Sequence, residues 1–188
     1  SFYLVMEYVE GTPLSKLIAD WSGPMPLEFG LDAAIGVLQA LRYAHKKGLV
    51  HRDVKPDNVM ITDNGVKLMD FGVAGLISLL AEGSDYIVGT PAYISPEQIE
   101  GKPLDGRADL YSLGVMLFEM AAGGAYPFEG TNATEFYDAH LADSPFALRE
   151  FVPEIPLSFE RVVMRLLAKE PDDRYPSAQA VLDILKTM

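Results

Sequence analysis

Apolar residues between positions 27 and 47 recur with the spacing of one helical face. Leu31, Ala34, Ile35, Leu38, Leu41 and Ala44 follow the i, i+3, i+4, i+7 rule, so the segment is predicted to be an amphipathic helix. Gly48 follows it directly and supplies a C-cap. The stretch from Asp109 to Met120 is different: it is apolar on nearly every side, which predicts a helix buried all round and stopped by Gly123-Gly124. Further helices are expected at about 132–142, 157–168 and 176–187, the last beginning after Pro176 with Ser177 as cap. A short one should open at Pro13 and run through Leu14-Ser15-Lys16-Leu17-Ile18. Strand patterns are few. Phe2 to Met6 is a dense run of β-formers leaving through Gly11, and Val59–Thr62 and Val66–Met69 flank Asp63-Asn64-Gly65 as a hairpin. No repeat, low-complexity tract or linker interrupts the chain.

Composition narrows the class. At 188 residues and 49% hydrophobic, the chain is long and apolar enough for one domain with a sizeable core. A formal charge of -12 argues against a nucleic-acid partner, which needs a basic face. The acid excess reads first as a solvated surface and second as a preference for basic peptides. Without cysteine there is no disulfide framework, thiolate nucleophile or cysteine zinc site, in keeping with a reducing cytoplasm. The longest apolar run, Leu110 to Ala122, contains Glu119 and is too short to span a membrane, so no membrane contact is expected from this segment. Ser1-Phe2-Tyr3 carries no basic n-region and no initiator Met, which fits a chain cut from something longer.

The chemistry concentrates in two loops. His51-Arg52-Asp53-Val54-Lys55-Pro56-Asp57-Asn58 is an H-R-D-x-K-x-x-N sequence, and Asp70-Phe71-Gly72 follows the hairpin. Carboxylate and carboxamide oxygens such as Asn58 and Asp70 are hard ligands that suit magnesium. Pro56 restricts the loop backbone, and Gly72 permits the turn after Asp70. An isolated Asp–Asn pair near a turn is usually a cap, but here two loops, a hairpin and Ser95-Pro96-Glu97 come in a fixed order.

In that order and spacing the chain resembles the protein kinase superfamily, serine/threonine type and bacterial-like. The resemblance implies a protein-kinase-like α+β fold: a mainly α-helical large lobe with a catalytic-loop β-hairpin. Residues 1–11 would be the last small-lobe strand and hinge, and 12–188 the C-terminal lobe. It implies Asp53 as the base toward a substrate hydroxyl and Lys55 beside the γ-phosphate of ATP, with Asn58 and Asp70 holding Mg2+ or alternatively Mn2+. Met6, Glu7, Val9 and Met60 would join Lys55 in the nucleotide pocket. His51 would pack against Phe71, Glu97 would pair with Arg174, Asp109 would hold the catalytic-loop backbone, and Thr90 would meet Asp53 and Lys55. Residues 73–94 would be the activation segment, with Arg52 gathering a phosphate on Ser84, or on Ser78, unless Asp85 or Glu82 satisfies it.

The pattern departs from the family at its start. No glycine-rich phosphate loop, β3 lysine or αC glutamate precedes Phe2, so the resemblance covers about the C-terminal two-thirds of a kinase domain. The expected function is transfer of the ATP γ-phosphate to protein Ser/Thr hydroxyls, the chain alone being nearly inactive. The alternative is a regulatory or scaffolding fragment that binds a peptide or partner and transfers nothing. Protein or peptide substrates and ATP are the implied partners, in a cytoplasmic setting whose parent is free to be membrane-anchored elsewhere. The strand Phe2–Met6, bare of its sheet, should also promote self-association.

Overall fold

A computed structural model describes residues 7–71 and 89–188. The expected strand Phe2–Met6, the pocket residue Met6, Gly72 and the serines Ser78 and Ser84 therefore lie outside the described residues.

The long amphipathic helix forms as its spacing requires. After the short helix α1 (Leu14–Asp20), α2 spans Leu27–Lys46 and buries Ala34, Leu38, Leu41 and Ala44 along one stripe, with Ala33 and Val37 beside them. Its end is a Schellman motif: Gly48 takes φ 73°, its N–H donates to His45 O, and Leu49 N–H donates to Ala44 O, both at 3.0 Å. Helix α2 rests on the sheet through Gly36, where any Cβ would run into the Val66 side chain.

The sheet has three antiparallel strands in the order β1 (Thr12–Pro13), β2 (Val59–Thr62), β3 (Gly65–Leu68). The hairpin β2–β3 pairs Val59 with Leu68 and Thr62 with Gly65, so β3 begins one residue earlier than the sequence suggests. Gly65 takes φ 105°, which explains why the strand can start on a glycine. Strand β1 was not legible as a strand; its two residues pair with Met60 and Ile61 at the edge, the place where a proline lacking an N–H is tolerated.

Helix α3 (Pro96–Ile99) and α4 (Gly106–Ala121) come next. Every residue of α4 from Ala108 to Ala121 is buried, as its all-round apolarity predicts, and Asp105 caps it by accepting from Arg107 N–H. Helices α5 (Ala133–Ala142), α6 (Leu148–Phe151), α7 (Leu157–Leu166) and α8 (Ala178–Leu185) complete the described order. Ser177 caps α8 by accepting from Ala180 N–H. The four-residue helices α3 and α6 were not expected: one turn is too short to show a hydrophobic period. Helix α4 is the axis of the core, touching α2 on one side and α7 on another, while α8 closes against α2.

One buried charge pair fixes the lower half of the fold. Arg174 is 1% exposed and donates from both terminal nitrogens to Glu97, at 2.6 and 2.8 Å. Its remaining N–H groups reach Ala168 O, Arg107 O and Lys169 O, so all five donors are satisfied, and its guanidinium lies 4.8 Å from the Tyr111 ring centroid. Removing one partner strands the other charge in a dry interior. Arg174→Met should lower the unfolding free energy by about 3–5 kcal/mol. Urea denaturation checks this, and a loss below about 1 kcal/mol would show that Glu97 finds water instead.

Candidate active site

The loop from His51 to Asn58 is held by its backbone. Asp109, in the first turn of α4 and 1% exposed, accepts the N–H of His51 at 2.9 Å and of Arg52 at 2.8 Å. Its Oδ2 also meets His45 Nε2 at 2.7 Å. The next N–H, of Asp53, reaches His51 Nδ1 at 3.3 Å. Because His51 Nε2 faces the Met69 carbonyl at 2.6 Å, an acceptor only, the proton sits on Nε2 and Nδ1 accepts. Three successive N–H groups thus point at side chains, and the chain bends through a left-handed Arg52 at φ 70°. The second non-glycine residue in that region, among those described, is Asp70 at φ 61°. Both flank the same loop pair, where such strain is commonly stored.

The side chains then converge on Asp53. Lys55 Nζ lies 2.9 Å from Asp53 Oδ2 and donates to Thr90 Oγ1 at 2.6 Å. Thr90 in turn donates to Asp53 Oδ1 at 3.0 Å. Asn58 Nδ2 donates to Asp53 O at 2.7 Å and to Asp53 Oδ2 at 3.1 Å, which commits its nitrogen and turns its amide oxygen away. The carbonyl of Asn58 accepts from Met69 N–H at 2.8 Å, extending the hairpin ladder by one rung. Asn58 and Asp70 consequently leave the same end of β2–β3. His51 stacks edge-on against Phe71 with centroids 4.6 Å apart, tying the residue after Asp70 to the first loop.

The segment after Thr90 is held by turns, caps and side-chain bonds to three other parts of the fold. Pro91–Tyr93 forms a 3-10 turn that opens at its proline, and Ser95 and Gln98 form a capping box on α3. Gln98 Nε2 donates to Arg52 O at 2.9 Å, joining this edge to the His51–Asn58 loop. Tyr93 donates to the buried Glu119 at 2.6 Å, with Tyr126 OH 3.5 Å from Tyr93 OH. Burial pushes the Glu119 carboxyl up to about 7; the bond from Tyr93 pulls it back, and the nearby negative charge of Asp57 adds to the rise. Burial, then Glu119 itself, pushes the Tyr93 hydroxyl up, so Tyr93 remains the donor.

Residues 1–184 match the family described as protein kinase domain. This chain is a member of the protein kinase domain family. It is 43% identical over 188 residues to the serine/threonine-protein kinase PksC of Streptomyces coelicolor, covering 96% of this chain and 34% of that protein. It is 38% identical over 179 residues to the serine/threonine-protein kinase PknB of Mycobacterium leprae, covering 94% of this chain and 28% of the relative. Among solved structures, the Mycobacterium tuberculosis PknI kinase domain superposes with a TM-score of 0.74 at 31% identity, over 97% of this chain and 64% of that one. The chain thus spans about a third or less of these curated relatives and under two-thirds of the solved domain.

Most of the residues expected of this kinase family member come together. Asp53 and Lys55 each bond directly to Thr90 and Asn58 donates to Asp53, while His51–Phe71, Glu97–Arg174 and Asp109 with the loop backbone make the contacts the resemblance implied. At the edge where nucleotide-pocket residues were expected, Met60 and Lys67 are cross-strand partners and share one face, and Lys67 Nζ reaches Glu7 at 2.7 Å, bringing Glu7 to the Met60 face. Val9 is half-buried nearby in sequence. Among the described residues no carboxylate pairs with the Arg52 guanidinium. Sequence reasoning missed His45, Gln98, and the Tyr93–Glu119 pair. Glu119 had a signal, being the one acid inside an otherwise apolar run; His45 and Gln98 had none, because their partners lie 64 and 46 positions away.

Two buried groups give opposite pH dependences. Glu119 has a folded pKa of about 7 against 4.5 unfolded, so the folded chain binds more protons and stability falls as pH rises through that window. His140, fully buried in α5, is pulled down to about 4 from 6.5 by burial and then by the Lys169 ammonium. Its folded form binds fewer protons, so stability falls as pH drops from 6.5 to 4. Each is worth roughly 3 kcal/mol across its window, and they nearly cancel. Glu119→Gln should therefore steepen the acid-side loss, and His140→Phe should leave stability falling between pH 4.5 and 7. Urea midpoints measured across that range check both; parallel curves for the two variants would refute the assignment.

Proposed function

We propose that this chain carries the phosphoryl-transfer half of an ATP-dependent serine/threonine protein kinase. The observation that supports it most is the Asp53 carboxylate, oriented at both oxygens by Lys55, Asn58 and Thr90 yet still partly open to solvent. Phosphoryl transfer asks mainly for positioning and charge stabilisation, and the cluster provides both. Asp53 takes the proton of a serine or threonine hydroxyl as its oxygen bonds to the γ-phosphorus and the bond to the ADP oxygen breaks. Lys55, held between Asp53 and Thr90, sets a positive charge beside that centre. Thr90 ties the base to the segment that presents the peptide.

The residues fit a divalent cation. The amide oxygen of Asn58 is turned away from Asp53, and the Asp70 carboxylate leaves the same hairpin end, giving two hard oxygen donors. Magnesium needs only one or two protein ligands, since it keeps water and phosphate oxygens. When bound, it would neutralise charge on the transferring phosphates; Mn2+ would take the same oxygens. Met6, Glu7, Val9 and Met60 would line the nucleotide side. Arg52 would hold a phosphate carried on Ser84, or on Ser78, and residues 1–11 would form the last small-lobe strand and the hinge. No helix among the described residues is long and apolar enough to cross a membrane, and a cytoplasmic position, where ATP is supplied, suits the activity.

The matched kinase domains are longer than this chain, so transfer is best measured in the full-length gene product. With Mg-ATP and a basic protein acceptor, radiolabel should appear on serine or threonine, and Asp53→Asn should lower kcat about 10²- to 10⁴-fold. Asp70→Asn should raise the magnesium concentration needed for half-maximal rate. Transfer that survives Asp53→Asn at half the original rate would overturn the assignment, and no transfer from the unmutated product would favour a binding or scaffolding role.

A further inference from the structure

His140 lies on the last turns of α5, fully buried and outside the cluster around Asp53. Its ring bridges two separate elements. Nε2 lies 3.1 Å from the carbonyl of Ala92, in the middle of the Pro91–Tyr93 turn, and Nδ1 lies 2.7 Å from the Tyr111 hydroxyl on α4. A carbonyl only accepts, so the proton must be on Nε2, and Nδ1 must accept from the tyrosine. The bonds therefore run in one direction: Tyr111 O–H to Nδ1, then Nε2–H to Ala92 O.

The ring is prevented from moving. Phe128 meets it edge-on with centroids 4.8 Å apart, and Tyr111 does so at 5.6 Å. Lys169 donates to the carbonyls of Ala139 and His140 at 3.0 and 2.7 Å, pinning the end of α5, and its ammonium sits 4.0 Å from the Phe128 centroid. Burial first, and then that cation, oppose a second proton on the imidazole, which keeps His140 neutral and its Nδ1 lone pair available. Two residues before Ala92, Thr90 contacts both Asp53 and Lys55. The height of the Ala92 carbonyl thus sets where the peptide-presenting edge lies relative to the base.

We propose that His140 is a positioning residue for the protein substrate, holding the Thr90–Tyr93 edge in register with Asp53 through the directed chain Tyr111–His140–Ala92. The substrate half of this inference rests on the kinase reading; the hydrogen-bond chain does not. His140→Leu would leave both the Ala92 carbonyl and the Tyr111 hydroxyl buried without partners, whereas His140→Gln restores a donor near the Nε2 position.

The test has one arm that requires catalysis and one that does not. In the full-length product acting on myelin basic protein, His140→Leu should raise KM for the protein about ten-fold while KM for ATP changes less than about two-fold. His140→Gln should recover most of that loss. Equal KM values in Leu and Gln variants, or a loss confined to kcat, would overturn the positioning role and leave only packing. In 15N-labelled protein, the His140 ring should show a protonated Nε2 and a lone-pair Nδ1, and Tyr111→Phe should mix the two tautomers. A native ring protonated on Nδ1 would overturn the proposal whether or not phosphate is transferred. Absent transfer with the Nε2–H form intact would sink the kinase reading and the substrate half, but not the bond chain.

Discussion

The site depends on one carboxylate that does no chemistry. Asp109 is buried at the start of α4, the most buried helix among the described residues, and accepts from two consecutive backbone N–H groups of the His51–Asn58 loop and from His45. Three donors satisfy its two oxygens, and its position in the first helical turn sets it beside the N-terminal end of the helix dipole. Once those N–H groups are fixed, Arg52 is forced into the left-handed region, and the carboxylate of Asp53 follows in direction. The loop is too short to hold such a bend from its own propensities. It is the rigidity of α4, apolar on every side, that makes the bend persist.

A second frame surrounds this one. The Glu97–Arg174 pair, with all five guanidinium donors used, ties α3 to the turn preceding α8. Glu119 and His140 brace the Pro91–Tyr93 edge from two other directions. Polar groups buried in this way contribute little net stability compared with well-packed hydrophobic residues, but they are directional. An apolar contact would permit the Pro91–Tyr93 edge to slide by an ångström or more. Hydrogen bonds at 2.6 and 3.1 Å, to Glu119 on α4 and from His140 on α5, do not.

The opposed linkages of Glu119 and His140 follow from the same design. Each is kept neutral near pH 6 by burial, one an acid and the other a base, so that the edge gains two directional partners without adding a net buried charge. Lys169 reinforces this from outside by capping α5 and by repelling a proton from the imidazole.

The sequence by itself determined the elements whose signal is local. The stripe on α2, the all-round apolarity of α4, the Gly48 cap and the short helix opening at Pro13 all lie within a few residues of the features they specify. The two chemical loops were legible for a related reason: Asp53, Lys55, Asn58 and Asp70 fall at fixed spacing about a short hairpin, and that spacing survives folding unchanged. What the tertiary structure alone decided is which distant groups complete them. His45 on Asp109, Gln98 on Arg52 O, Lys67 on Glu7 and Tyr111 through His140 on Ala92 join positions 29 to 64 residues apart, and nothing local to either partner marks the contact. Strand β1 and helices α3 and α6 escaped for the same reason, since two to four residues carry no period and only a neighbouring strand or a capping side chain gives them their form. Local propensity chose the pieces; the need to satisfy buried donors and acceptors chose how they meet.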